Sequence, residues 1–210
     1  MNDYNLKLDK YLIPLISKFK KPNILEFGVR AGISTKKFLD ICKKNKGYLY
    51  SVDTTNYGKL FKNTRWTFLN CRDDDFNLVK KKIPQKVDVI YIDSLHEAEH
   101  VKKLIFYYFN FVRVNGYIFI DDISHLPYLK NKPRNNFYCE INNKETYDVI
   151  MDIYNDNNEN FELTYHLLSS GLCVIKKIKN KRLMKQKTIK TRKYSFQNLV
   201  RLIWKIIKIS

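Results

Sequence analysis

Apolar residues recur along the chain in two rhythms, helical spacing and short continuous runs, and the way these alternate sets the architecture. Tyr4, Leu6, Leu8, Tyr11, Leu12, Leu15 and Ile16 mark an amphipathic helix over residues 4–19, placed to pack over a sheet. After Pro22, Asn23 to Phe27 is a first strand, Ser34 to Lys46 is helical and ends at Gly47, and Tyr48 to Val52 is a second strand closing on Asp53. Trp66 to Asn70 is a short third strand. Asp73 to Lys82 has acids at its start and lysines at its end, the order a helix dipole favours. Lys86 to Ile92 is a fourth strand, and His96 to Val114 is a long apolar-striped helix stopped by Asn115-Gly116. Tyr117 to Ile120 is a fifth strand running into Asp121-Asp122. Such alternation predicts a doubly wound α/β domain with a parallel sheet.

Ser124 to Asn142 breaks the rhythm with Pro127, Pro133 and Asn135-Asn136 and reads as a long loop. Lys144 to Tyr154 is helical. Phe161 to Leu168 and Leu172 to Ile178 then flank Ser169-Ser170-Gly171, a hairpin signal that closes the sheet with an antiparallel pair. The length suits one domain, over residues 1–178. Cys42, Cys71, Cys139 and Cys173 are scattered, with no Cys-x-x-Cys pair, so neither a zinc site nor a disulfide framework is expected and a reducing, cytoplasmic setting is the simplest.

Charge changes the picture only at the end of the chain. The net charge is +18, but 13 of the 39 Lys and Arg residues fall between Lys176 and Ser210, where there is no Asp or Glu; the remainder has 26 basic against 21 acidic residues. Residues 179–194 read as a basic linker. In 195–210, Phe196, Leu199, Val200, Ile203, Ile206 and Ile207 recur at helical spacing opposite Arg201, Lys205 and Lys208. This helix suits an anionic membrane surface and peripheral attachment. A protein partner or the domain itself is the rival occupant, and nucleic acid fits less well because the apolar face is too wide for a solvated phosphate-binding arm.

Candidate chemistry lies at the strand ends, where open α/β sheets bind ligands. Glu26-x-Gly28-x-x-x-Gly32 follows the first strand, and its glycines let the backbone turn sharply beside a ligand. The spacing differs from the Gly-x-Gly-x-x-Gly of dinucleotide folds. Ser34 is placed to cap the next helix, and Glu26 to order the loop or receive a ligand's positive charge. Asp53 suits a ribose diol. Asp93, Asp121 and Asp122 converge from neighbouring strand ends, and three such carboxylates repel one another unless a cation neutralises them; oxygen ligands favour Mg²⁺, Ca²⁺ or Mn²⁺.

In this order the motifs resemble the class I S-adenosylmethionine-dependent methyltransferases over residues 20 to 178. The resemblance implies a Rossmann-like, mostly parallel seven-stranded sheet and a cofactor site made of Glu26, Gly28, Gly32, Ser34, Asp53, Asp73 and Asp93. Cys71-Arg72-Asp73 is similar to the segment beside the adenine. Tyr91-Ile-Asp93-Ser-Leu-His96-Glu and Tyr117-Ile-Phe-Ile-Asp121-Asp122 resemble segments of the metal-dependent O-methyltransferases that act on sugar hydroxyls. This implies a divalent ion on Asp93, Asp121 and Asp122 and a small-molecule or glycan acceptor. The family's second Asp, often assigned as the base, is Leu95 here; His96 and His125 are the replacement candidates. His100 and His166 read as structural. The alternative function is a catalytically impaired cofactor-binding domain tethered by its basic tail.

Overall fold

The computed structural model describes residues 3–124, 137–185 and 196–207. Its first segment is helical as expected, but divided into α1 (Asp3–Lys7), a π turn (Leu8–Leu12) and α2 (Ile13–Ile16). Leu8, Leu12 and Ile16 repeat every four residues and are fully buried, while Leu6 lies off that stripe and is exposed. Each such buried side chain contributes about 1.5–3 kcal/mol. Pro14 has no N–H to give to the preceding turn, and the wider π turn sits immediately ahead of it.

The sheet is built from β1 (Asn23–Phe27), β2 (Tyr48–Asp53), β3 (Trp66–Asn70), β4 (Val87–Ile92), β5 (Val112–Asp121), β6 (Phe161–His166) and β7 (Leu172–Lys177), in the order β3-β2-β1-β4-β5-β7-β6. The first five are parallel to one another, and β7 runs antiparallel to both β5 and β6. Helices α3 (Ile33–Asn45), α4 (Phe76–Lys82), α5 (Ala98–Tyr108) and α6 (Phe137–Asn157) connect the strands. β4 is buried along its whole length because both faces are covered. Its Val89 and Tyr91 pack in a core with Leu8, Leu12, Phe38 and Phe119, and its Val87, Ile90 and Ile92 in another with α5 and α6.

Four further elements, α5, β5, α4 and α6, differ from the sequence expectation. The helix read from His96 to Val114 starts at Ala98 and ends at Tyr108, followed by a 3₁₀ turn (Phe109–Phe111). Val112 to Asn115 belong to β5, because Val112 pairs with Val87, and Asn115-Gly116 lies within a strand irregularity rather than at a helix end. There Asn115 has φ 65°, and a Cβ on Gly116 would stand 2.7 Å from the Asp88 carbonyl oxygen. The helix read from Asp73 begins at Phe76, with Asp75 as its cap: the Asp75 carboxylate accepts from the Leu78 N–H. In place of a loop to Asn142, α6 starts at Phe137. The body also continues past Ile178: Leu183 is buried, and the Met184 N–H donates to Asn157 Oδ1 at 2.8 Å. The tail helix, α7, spans Phe196–Ile207.

This winding opens a crevice at one place. The chain leaves β1 toward α3 on one face and leaves the adjacent β4 toward α5 on the other, so the carboxyl ends of β1 and β4 part at Gly28 and Asp93.

Candidate active site

Gly28 turns out of β1 with φ +91°, and a Cβ there would stand 2.0 Å from the Asp93 carbonyl oxygen. Only glycine allows the two strand ends to come this close. Beside it lies a cavity of about 430 Å³, whose wall includes Gly28, Asp53, Tyr57, Asp73, Asp93 and His100. Asp53, at the end of β2, accepts N–H groups from Val29 at 2.8 Å and Thr55 at 2.8 Å, which fix its carboxylate at the rim. Cys71, Arg72 and Asp73 line the far side. Asp73 accepts from Ser94 Oγ at 2.5 Å and lies 3.0 Å from His100 Nε2. Burial alone would raise the Asp73 carboxyl, but the His100 and Ser94 hydrogen bonds outweigh it and hold Asp73 below the usual range. His100, expected to be structural, is therefore part of the cavity wall. His166 does pack structurally, its ring stacked on Tyr11 at 3.9 Å.

Glu26 and Ser34 sit beneath the cavity rather than in its lining. Glu26 is fully buried and accepts from Ser34 Oγ at 2.6 Å, Thr35 Oγ1 at 2.9 Å and Ser51 Oγ at 2.6 Å. Of the two roles open to it, the geometry fits ordering the loop. Ser34 is not the cap; that position is Gly32, with φ +71°, and the Ser34 hydroxyl is spent on Glu26. Burial pushes the Glu26 carboxyl up to about 7, with the three hydroxyls pulling it back. A folded-state value above the unfolded one means that the native state binds the extra proton. Stability from this group is therefore full below about pH 4.5 and is lost as pH rises to about 7, by about 3 kcal/mol. Glu26→Gln should flatten the fall in denaturation free energy between pH 5 and 8 by that order; an unchanged slope would contradict the assignment.

A second cavity of about 370 Å³ opens beside the first and shares Gly28, Arg30, Asp93 and Ser94 with it. Tyr4, His96, Asp121 and Asp122 complete its polar lining. His96 Nε2 lies 3.5 Å from Asp93 Oδ1 and 3.4 Å from Asp122 Oδ2, with its ring partly exposed. His125 lies outside the described residues. Leu95 lines the first cavity and is exposed.

The three acids expected to hold a metal do meet at this edge, but other groups fill both oxygens of Asp121 and one of Asp93. Asp121 is ion-paired with Lys7, accepts the Asp122 N–H at 2.8 Å, and accepts the Tyr91 hydroxyl at 2.9 Å. Asp93 Oδ2 accepts the Tyr4 hydroxyl at 2.7 Å, and the Tyr91 oxygen lies 3.1 Å from it. Among the described residues no group of three or more His, Cys, Asp or Glu is arranged to hold a metal ion. The donor set does not fit a divalent ion held by all three acids, because the Lys7 ammonium and the tyrosine hydroxyls already occupy Asp121 and Asp93 Oδ2. Burial, reinforced by the Asp121 carboxylate, still pushes Asp93 well above the usual carboxylate range. A positively charged ligand beside it would relieve that cost.

Sequence reasoning missed Lys7, Tyr4, Tyr91, Ser94 and His100. One signal was available for Lys7: it lies three residues after Tyr4 and four before Tyr11, on the apolar stripe rather than opposite it.

A family model described as "Methyltransferase domain" matches residues 25–123, the stretch from β1 to just past Asp122. The solved structure of Podospora anserina methyltransferase PaMTH1, bound to S-adenosylhomocysteine (SAH), superposes with a TM-score of 0.60 at 14% identity, covering 75% of this chain and 72% of that one. MycE, a methyltransferase of the mycinamycin biosynthetic pathway solved with Mg, SAH and mycinamycin VI, gives a TM-score of 0.58 at 16% identity over 94% of this chain. The present chain spans about half of MycE, 54% of its length. A Staphylococcus aureus protein provisionally assigned as a caffeoyl-CoA O-methyltransferase gives 0.60 at 16% identity, covering 84% of each chain. No curated relative matches at the level of sequence. The architecture is the Rossmann-like fold of class I methyltransferases, and the matched stretch supports reading residues 25–123 as a methyltransferase domain.

Proposed function

We propose that the protein is an S-adenosylmethionine-dependent methyltransferase that methylates a hydroxyl group, of a sugar or glycan precursor in the first instance. The observation that carries this reading is the Gly28 junction, where the two cavities share a wall with Asp93 and Ser94. S-adenosylmethionine supplies an electrophilic methyl group on a sulfonium. Gly28 lets the ends of β1 and β4 meet at that wall, where any Cβ would strike the Asp93 carbonyl. Asp53 offers its remaining lone pairs to a ribose diol, and Asp93 offers a half-buried carboxylate to positive charge. His96 is placed to take the acceptor's hydroxyl proton at Nε2, in the role that Leu95 cannot fill. Holding donor and acceptor in adjoining cavities that meet beside Gly28 supplies acceleration through proximity. No metal step enters the mechanism.

Calorimetry with S-adenosylmethionine tests the cofactor part. Asp53→Ala should weaken binding by roughly tenfold or more, and a wild-type chain that binds neither S-adenosylmethionine nor SAH rules the reading out. Methyl transfer to glycoside hydroxyls is expected; transfer confined to nitrogen acceptors removes the O-methyl part.

The tail favours attachment to an anionic membrane surface. α7 exposes Phe196, Leu199, Ile203, Trp204 and Ile207, and the basic run before it gains about 1 kcal/mol per Lys or Arg near anionic lipid. No helix among the described residues is long and apolar enough to cross a membrane. The full chain should sediment with anionic liposomes and Ile203→Glu/Trp204→Glu should not; equal sedimentation of the two defeats this part.

A further inference from the structure

Lys7 is fully buried at the acidic edge. Its ammonium meets Asp121 Oδ1, Ser170 Oγ at 2.8 Å and the Gly171 carbonyl at 3.3 Å, so all three of its protons have acceptors. A buried ammonium held in this way is a fixed part of the site rather than a surface charge passing by.

The effect of that charge travels through a short chain of hydrogen bonds. Lys7 holds Asp121, Asp121 Oδ2 accepts the Tyr91 hydroxyl, and both Tyr91 and Tyr4 lie within hydrogen-bond distance of Asp93 Oδ2. Tyr4 and Lys7 are three residues apart on α1 and so share one helix face. Both come from the N-terminal helix, which precedes the stretch matched by the family model. A divalent ion needs converging oxygen lone pairs at about 2.0–2.6 Å, and here those of Asp121 and of Asp93 Oδ2 are already directed at N–H and O–H donors.

We infer that Lys7 is the resident cation of this edge, standing in for a divalent metal ion, so that the site is organised and works without one. Lys7 is thus a positioning residue, acting through Asp121 and Tyr91 on Asp93. The inference rests on the methyltransferase reading for its functional meaning, but the cation itself is tested without turnover.

The test is Mn²⁺ titration of the full chain followed by electron paramagnetic resonance, with Mg²⁺-dependent thermal melting in parallel. The wild-type chain should show no bound Mn²⁺ at millimolar concentration and no Mg²⁺ shift in Tm. Lys7→Met should gain Mn²⁺ affinity by roughly tenfold or more, and Lys7→Met/Asp121→Asn should lose that gain. Stoichiometric Mn²⁺ binding by the wild type, abolished in Asp93→Asn, overturns the inference; so does a folded Lys7→Met that gains nothing. If Lys7→Met folds only with Mn²⁺ present, the inference stands. If it folds under neither condition, the wild-type titration decides, with Lys7→Arg expected to fold and bind no Mn²⁺. Failure of the wild type to bind S-adenosylmethionine in a separate titration would count against the methyltransferase reading and leave the Mn²⁺ result as it is.

Discussion

Gly28→Ala should lose about 3 kcal/mol or more of stability and bind S-adenosylmethionine at least about a hundredfold more weakly. Its added methyl group would stand 2.0 Å from the Asp93 carbonyl oxygen and 2.7 Å from the Asp93 carbonyl carbon. These are backbone atoms, and the Asp93 N–H is tied to the Phe27 carbonyl at 2.9 Å, so relief requires parting β1 from β4. The φ of +91° adds strain for any L side chain. Gly32→Ala is the informative control. Gly32 shares the left-handed backbone, with φ +71°, but its Cβ would meet the Leu60 and Phe61 side chains, which can move, so the cost should be about 1–2 kcal/mol. Denaturant unfolding and calorimetry measure both effects, and equal losses at the two glycines would show that the crevice is not as tight as described.

Lys7→Ala should cost about 3–5 kcal/mol at neutral pH, because it leaves the Asp121 carboxylate buried without its partner. The loss should shrink as pH falls, because burial holds the Asp121 carboxyl above its ordinary value and, once protonated, it no longer needs a counter-charge. Replacing both partners by apolar residues, Lys7→Met/Asp121→Leu, should recover most of the stability, since two matched charges leave the core together. Chemical denaturation of the three chains at two pH values separates these outcomes. A Lys7→Ala loss below about 1 kcal/mol would mean that the pair is solvated.

The parallel part of the sheet was legible because its strands are short apolar runs punctuated by Gly47, Pro22 and the strand-end acids. Asp53, Asp73 and Asp93 were legible for the same reason: position at a strand's carboxyl end is a local property. Val112 to Asn115 was misread because Val and Arg at helical spacing after Phe111 continue the preceding stripe; only the pairing with Val87, far away in sequence, assigns them to β5. The acidic cluster shows the same limit. Three converging carboxylates were read as the ligands of a divalent ion; the one local sign of Lys7 was its place on the apolar stripe, and its pairing with Asp121 spans 114 residues. His100 was passed over because its partner Asp73 is 27 residues away on another connection.

The contacts of Lys7 also bear on how the chain matures. Its ammonium joins the first helix to Asp121, 114 residues on, and to Ser170 and Gly171, 163 and 164 residues on. Contacts over such separations form late, after the entropy of closing long loops has been met. During synthesis from the N-terminus the helix bearing Lys7 emerges first, yet its partners in the hairpin before β7 are among the last of the domain to leave the ribosome. Until then the Lys7 ammonium lacks two of its three acceptors, and the acidic edge is unfinished.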